Sequence, residues 1–153
     1  RQRPGIRGIN LEMDFDLAGR DLLSQKEFPI VYVRKFLQHL ASHDLDRTLS
    51  FFDGEVDYYG SRMSREQLHD HLQEYQAWFY NREYDLSTVH AVEIGEENDQ
   101  ATIHFELKSV LYFAEPNTGV VSSERHRDGI EISLRHDRTD WKIDGLRKRA
   151  AAE

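Results

Sequence analysis

Residues 30–60 read IVYVRKFLQHLASHDLDRTLSFFDGEVDYYG, and this stretch decides the fold of the chain. Its first part carries an apolar stripe at helical spacing, formed by Val33, Phe36, Leu37 and Leu40. Asp44 can then cap a second, shorter helix, because its carboxylate accepts free backbone N–H groups of a first turn. Period-two alternation follows over Val56–Gly60. We therefore expect a helix, an acidic hinge, a short helix that ends at Gly54, and a strand.

The rest of the chain adds one helix and several long strands. Ser64 and Gln67 form a capping box, which predicts the start of a third helix. Strand-like segments follow at Tyr84–Ile94, Thr102–Ala114, Val120–Arg135 and Trp141–Leu146. Helices followed by strands joined by short turns predict an α+β domain with an antiparallel sheet of four main strands.

The N-terminal residues differ from this pattern, and we interpret residues 1–27 as an extension of a domain that spans 28–153. Five apolar residues alternate there with polar ones: Ile9, Leu11, Met13, Phe15 and Leu17. This pattern predicts a strand over 9–17 that pairs with a sheet edge, the alternative being an acidic linker. The chain begins with Arg1 rather than Met, and we expect it to be part of a larger polypeptide.

Composition excludes several classes of function. The 153 residues carry a formal net charge of -8, which argues against binding to the phosphates of nucleic acid. No apolar run reaches membrane-spanning length, so we expect a soluble protein that does not insert into membranes, and the sequence leaves its compartment open. With no cysteine, disulfides and thiolate metal sites are ruled out.

Metal and cofactor motifs are also missing from the sequence. His69 and His71 are two apart on a predicted helix and point to different sides, while His39 and His43 have no third ligand nearby. No HEXXH motif, phosphate-binding glycine loop or nucleophile elbow is present. We therefore predict no metal site and no cofactor.

The order of elements resembles the NTF2-like (SnoaL-like) superfamily over about Phe28 to Arg149. The features that carry the resemblance are the helix at Phe36–Leu40, the hinge at 44–46, the pair Phe51-Phe52, the strand at Val56–Gly60 and the closing Trp141-Lys142-Ile143. The resemblance implies a cone, in which three helices pack on a curved antiparallel sheet. It also implies pairing of two copies through the outer sheet face. Relatives include ketosteroid isomerases, dehydratases and polyketide cyclases as well as non-catalytic modules.

The catalytic residue types of the ketosteroid isomerases are absent from the corresponding positions of this chain. The tyrosine of the oxyanion hole corresponds to Phe36, which has no hydroxyl, and the general-base aspartate corresponds to Gly60. An oxyanion needs a donor and proton abstraction needs a base, and neither position supplies one. The resemblance is therefore to non-catalytic accessory members rather than to ketosteroid isomerases.

The strand from Val120 supplies the candidate acid–base residues. One of its faces places Glu124, His126 and Asp128 in line with apolar residues, so that these groups would line the cavity of a cone. A carboxylate beside a histidine is suited to proton transfer near neutral pH. Two alternatives remain at this stage: the strand end lies in solvent, or a bulge turns Arg125 and Arg127 inward instead.

Aromatic residues supply the candidate pocket. Tyr32 and Tyr58 could direct hydroxyls into it, and we expect walls from residues that include Phe36, Trp78, Tyr80, Tyr112 and Phe113, with His126 at the same site. The alternative is that these aromatic residues are ordinary core.

Three functions fit these observations. The preferred hypothesis is a non-catalytic module that binds a small hydrophobic ligand or mediates assembly, and the resemblance implies that it forms a homodimer. The second is a small SnoaL- or dehydratase-type enzyme that uses His126 with Glu124 or Asp128. The third is a purely structural interaction domain whose own side chains fill the cavity.

Overall fold

The computed structural model describes residues 27–136 and 140–149. The predicted strand at 9–17 lies outside the described residues. The elements, in chain order, are α1 (Glu27–Leu40), α2 (Leu45–Leu49), β1 (Phe52–Tyr58), β2 (Ser61–Ser64), α3 (Arg65–Trp78), β3 (Asn81–Ile94), β4 (Gln100–Ala114), β5 (Val121–His136) and β6 (Trp141–Lys148). Within these ranges, no helix has both the length and the apolar character needed to cross a membrane.

Both predicted helix caps are present. The backbone N–H of Arg47 donates to Asp44 Oδ1 at 3.0 Å, and Ser64 and Gln67 form the reciprocal capping box that starts α3. The short helix α2 ends at Leu49, however, rather than at Gly54. The reason is that β6 draws the following residues into the sheet, since the Ile143 N–H donates to the Phe51 carbonyl at 2.7 Å.

The predicted α+β class is confirmed, and the described residues form three helices against one open sheet. The sheet has six strands in the order β2-β1-β6-β5-β4-β3, because the short strand β2 joins the predicted set. It is mixed rather than wholly antiparallel: β1 and β6 run parallel, and the other pairs are antiparallel. This arrangement arises because α3 carries the chain to the far edge, from which β3 to β6 return strand by strand until β6 lies beside β1.

The long strands curve around the helices. Register shifts interrupt the pairing of β3 with β4 between Leu86 and Thr88 and between Val89 and Ala91. Such irregularities bend a strand and increase its twist. The pairing of β4 with β5, in contrast, is continuous from Gln100–Arg135 to Ala114–Val121, and residues 115–119 form the predicted hairpin connection.

The hydrophobic core lies between α1, α3 and the concave face of the sheet. Its most deeply buried large side chains include Phe36, Phe52, Leu68, Phe105, Ile132 and Ile143. The Phe36 ring meets the rings of Phe51 and Phe52 edge-on, with centroid distances of 5.7 and 5.3 Å. These edge-to-face contacts fix α1 against the start of β1.

One buried cation joins the ends of two helices to the sheet. The Arg82 guanidinium on β3 donates to the backbone carbonyls of Leu40 at 3.3 Å, Phe79 at 2.7 Å and Ser42 at 2.5 Å. Only 2% of the residue is exposed, and burial lowers its pKa. The three carbonyls follow or end α1 and α3, where the helix dipole favours a positive charge.

Replacing the central core side chain tests this packing. Phe36→Ala should reduce the free energy of unfolding by about 3–5 kcal/mol, because it removes a buried ring and leaves a cavity. Urea unfolding followed by circular dichroism measures the loss. Gln38→Ala, at an exposed position of the same helix, is the matched control and should change stability by less than about 0.5 kcal/mol. A loss below about 1 kcal/mol in Phe36→Ala would contradict the described position of α1.

Candidate functional site

A cavity of about 270 Å³ lies inside the cone, between the concave face of the sheet and the helices α1 and α3. Its inner walls are mostly apolar and include Phe36, Phe52, Phe105, Leu111, Ile130 and Ile132. Its exposed lining residues mark the mouth, which is formed by Tyr59, His71, His126 and Lys148 together with the half-buried Asp128. The cavity therefore has an apolar interior and a polar opening.

The alternation along β5 places the candidate acid–base residues at this mouth. The register with β4 is unbroken from Val121 to Arg135, so that His126 and Asp128 share a face with the buried Ile130. Arg127 points to the opposite face, where its Nε lies 3.7 Å from Glu106 Oε1. The alternative in which a bulge turns the arginines inward is thereby contradicted.

Two pairs of charged or ionisable groups form at the mouth. His126 Nε2 lies 3.0 Å from Glu124 Oε1, and 44% of each side chain is exposed. Glu124 itself is on the same strand face but is not part of the cavity lining. Lys148 Nζ lies 3.6 Å from Asp128 Oδ1. The histidine–carboxylate pair thus stands in contact with water, where the interaction between partly exposed charges is weak.

Tyr58 is one of the polar residues that line the cavity. Its ring meets the His71 ring edge-on with a centroid distance of 5.3 Å, and burial raises the pKa of its hydroxyl. In the part of the chain that the structure describes, no hydrogen bond engages this hydroxyl. Tyr58 therefore remains protonated at neutral pH and can donate to a ligand acceptor.

A second pair of tyrosines lines the cavity further along α3 and β3. Burial raises the pKa of both Tyr75 and Tyr84, and a hydrogen-bond interaction joins their side chains. The Arg82 guanidinium is close enough to favour the ionised form of each tyrosine, but this effect is smaller than that of burial. These hydroxyls thus have partners within the protein, in contrast to that of Tyr58.

Other residues that the sequence suggested for the pocket lie elsewhere. The Tyr32 hydroxyl donates to the carbonyls of Phe51 at 3.1 Å and Trp141 at 2.8 Å, which makes it a brace between α1 and the sheet. Tyr112 is on the outer sheet face because its neighbour Leu111 points inward, and its hydroxyl lies 3.4 Å from Glu83 Oε2.

Trp78 ends α3, and about half of its surface is exposed. Its ring stacks on that of Phe113, with a centroid distance of 5.8 Å and an interplanar angle of 16°. Tyr80 is also exposed, at 40% of its surface. Of the eight residues suggested for the pocket, three line the cavity: Phe36, Tyr58 and His126. The other five do not: Tyr32, Trp78, Tyr80, Tyr112 and Phe113.

Sequence reasoning missed several residues of the site. Tyr75 and Tyr84 had a usable signal, because Tyr75 follows Leu72 on the buried side of α3 and Tyr84 alternates with Leu86. Tyr59 had none, since a strand pattern places it opposite to Tyr58. Among the described residues, no group of three or more His, Asp or Glu side chains is arranged to hold a metal ion.

Comparison with known proteins identifies the architecture. No protein-family model matches the sequence, and no curated protein does. The structure superimposes on a nuclear transport factor 2 (NTF2-like) superfamily protein from Salmonella enterica serovar Typhimurium with a TM-score of 0.68. The alignment has 12% sequence identity and covers 85% of this chain and 93% of that one. The chain has the NTF2-like fold.

Other NTF2-like structures have been given enzyme names. One is a protein from Novosphingobium aromaticivorans provisionally named a scytalone dehydratase, with a TM-score of 0.65, 10% identity, and coverage of 92% of this chain and 89% of that chain. Another is a provisionally named polyketide cyclase from Xanthomonas campestris, with a TM-score of 0.55, 13% identity, and coverage of 84% and 93%. At this identity the likeness shows the fold alone.

The buried tyrosines of the NTF2-like cavity predict a loss of stability at alkaline pH. The folded-state pKa of Tyr58 and Tyr84 is raised above the ordinary value of 10.0, so the unfolded chain releases these protons first as the pH rises. Their stabilising contribution is complete below pH 10 and should fall by about 1 kcal/mol per tyrosine at pH 11. Urea unfolding at pH 9 and pH 11 measures the change. Tyr58→Phe should show a smaller loss than the wild type, and an equal loss would contradict the burial of this hydroxyl.

Proposed function

We propose that this chain binds a small, mainly apolar molecule in the cavity and acts as a non-catalytic binding module within a larger protein. The observation that supports this most directly is the Tyr58 hydroxyl, a protonated donor that no described residue engages inside a cavity whose inner walls are mostly apolar. Binding sites for small molecules combine apolar walls with a few polar groups that fix the ligand's orientation.

The size of the cavity limits the ligand. Sites for drug-sized molecules typically measure about 300–1,000 Å³, and the 270 Å³ here is just below that range. A compound with one or two rings is therefore the appropriate size. It should carry an oxygen or nitrogen that accepts a hydrogen bond from Tyr58, because the raised pKa of that hydroxyl keeps its proton in place.

Pairing of two copies through the outer sheet face is also part of the proposal. That face is charged rather than apolar: Glu131 accepts from Arg147 Nη2 at 2.9 Å, and His104 Nε2 lies 3.1 Å from Glu93 Oε1. Association there would depend on complementary charges and would weaken with salt.

Titration with 2-naphthol, a two-ring probe, tests ligand binding by calorimetry. Leu107→Trp replaces an aliphatic side chain of the cavity wall with a larger indole ring, which takes up space that the probe would fill. This variant should weaken binding at least about tenfold. Lys108→Trp, at the exposed neighbouring position on the outer face, is the matched control and should bind as the wild type does. Equal affinity in the wild type and in Leu107→Trp would contradict binding in the cavity.

A second pair of variants tests the donor. Tyr58→Phe keeps the ring but removes the hydroxyl, and it should weaken 2-naphthol binding about three- to tenfold, the value of one hydrogen bond. Tyr112→Phe removes a hydroxyl from the outer face and should have no effect. Both variants retain their rings, so the comparison separates the hydrogen bond from packing.

An acid–base enzyme is the second candidate, and the 3.0 Å contact between His126 and Glu124 at the mouth favours it. If it is correct, turnover of a small ketone, epoxide or polyketide should be lost in both His126→Ala and Glu124→Ala, because proton transfer needs the pair. His69→Ala is the matched control. The His69 Nδ1 atom lies 3.2 Å from Asp70 Oδ1, and neither residue lines the cavity. Activity that survives in both variants would exclude this pair.

A purely structural role is the third possibility, and the cavity supports it least. The protein's own side chains leave about 270 Å³ unfilled. A domain without a ligand would gain stability if larger side chains filled that space, since empty cavities forfeit packing contacts.

A further inference from the structure

Tyr58 and Tyr59 both line the cavity, although they are consecutive residues at the end of a strand. Successive side chains of a strand point to opposite faces, so regular geometry would direct Tyr59 to the outside of the cone. Instead, the two rings stand perpendicular to each other with a centroid distance of 4.7 Å. The backbone must therefore depart from strand geometry at Tyr59.

Tyr59 lies in a two-residue turn whose backbone conformation is unusual for a tyrosine. Tyr58 pairs with Ser61, which leaves Tyr59 and Gly60 as the whole connection between β1 and β2. Their φ angles are +52° and +88°. Two positive φ angles define a type I′ hairpin turn, which favours Asn-Gly or Gly-Gly. A bulky tyrosine in the left-handed region is sterically unfavourable.

The turn is also fixed to the neighbouring strand. The Tyr59 N–H donates to the Leu146 carbonyl of β6 at 2.8 Å. This bond uses only the backbone, and any residue except proline could form it. It explains where the turn lies but does not explain why its first residue is a tyrosine.

The position of the side chain offers an explanation. Tyr59 forms part of the cavity mouth together with His71, His126 and Asp128, and 46% of its surface remains exposed. Partial burial raises the pKa of its hydroxyl, with smaller contributions from the charges of Tyr75 and Asp128. The ring thus lies over the opening, with part of its surface free to contact another molecule.

We propose that Tyr59 is a ligand-binding residue that forms the outer wall of the cavity, and that the unfavourable turn is retained because it directs this ring over the bound molecule. This inference rests on the proposed binding function. The chemical class of ligand that it favours is a flat, aromatic ring compound, whose inner end meets Tyr58 and whose outer ring packs against Tyr59.

A purely structural explanation makes the opposite prediction about stability. If the Tyr59 ring were present only to stabilise the protein, its removal would lower the melting temperature. If the ring serves binding, a residue suited to the turn should raise the melting temperature and weaken binding. Strained backbone at functional sites commonly shows this exchange of stability for function.

Two variants of the intact chain distinguish these explanations, with 2-naphthol as the probe. Tyr59→Asn creates the favoured Asn-Gly turn and removes the ring, so the ligand-free melting temperature should rise by about 2–4 °C. Its dissociation constant for 2-naphthol should increase about five- to tenfold, because an aromatic contact is lost. Tyr59→Phe keeps both the ring and the unfavourable turn and should remain within about twofold and 1 °C of the wild type.

Each result decides between the explanations. Higher stability with weaker binding in Tyr59→Asn supports the inference. Unchanged binding, or a lower melting temperature, in Tyr59→Asn overturns it while leaving the proposed function intact, provided that Leu107→Trp still weakens binding. If the wild-type protein does not bind 2-naphthol and Leu107→Trp has no effect, the proposed function fails and this inference fails with it.

Discussion

The arrangement of the cone depends on one buried guanidinium. Arg82 extends from β3 beneath the ends of α1 and α3 and satisfies three carbonyl groups that neither helix can satisfy by itself. Hydrogen bonds to a charged group contribute about 1.5–3 kcal/mol each, and a buried carbonyl left without a donor costs a similar amount. Arg82 therefore stabilises the ends of both helices and holds them in place against β3.

Tyr32 has the corresponding role near the other end of α1. Its hydroxyl meets the carbonyls of Phe51 and Trp141, where β1 and β6 begin, so that one helix is held to the sheet at two points by hydrogen bonds to backbone. Apolar packing by Phe36 fills the interval between them. Directional bonds at the ends and apolar contacts in the middle thus hold α1 against the sheet.

The sequence predicted the fold better than the site, for physical reasons. Helix caps and period-two strands are local patterns, and those at Asp44, Ser64 and β5 were readable without any tertiary information. The parallel pairing of β1 with β6 was not, because it depends on the path of the chain rather than on any one segment. Tyr32 and Tyr59 show the same limit: the number of hydroxyls and rings is visible in the sequence, but their direction depends on distant carbonyls and on one backbone angle.

The parallel contact between β1 and β6 also constrains how the chain acquires its structure. Phe52 pairs with Ile143, about ninety positions later in the sequence. On the ribosome, the segments up to β1 therefore emerge long before the strand that covers them has been synthesised. Contacts of such high sequence separation fold slowly and leave apolar surface transiently exposed. Pairing of β6 with β1 is thus the step that completes the hydrophobic interior. A nascent chain that still lacks β6 would be a natural substrate for chaperones.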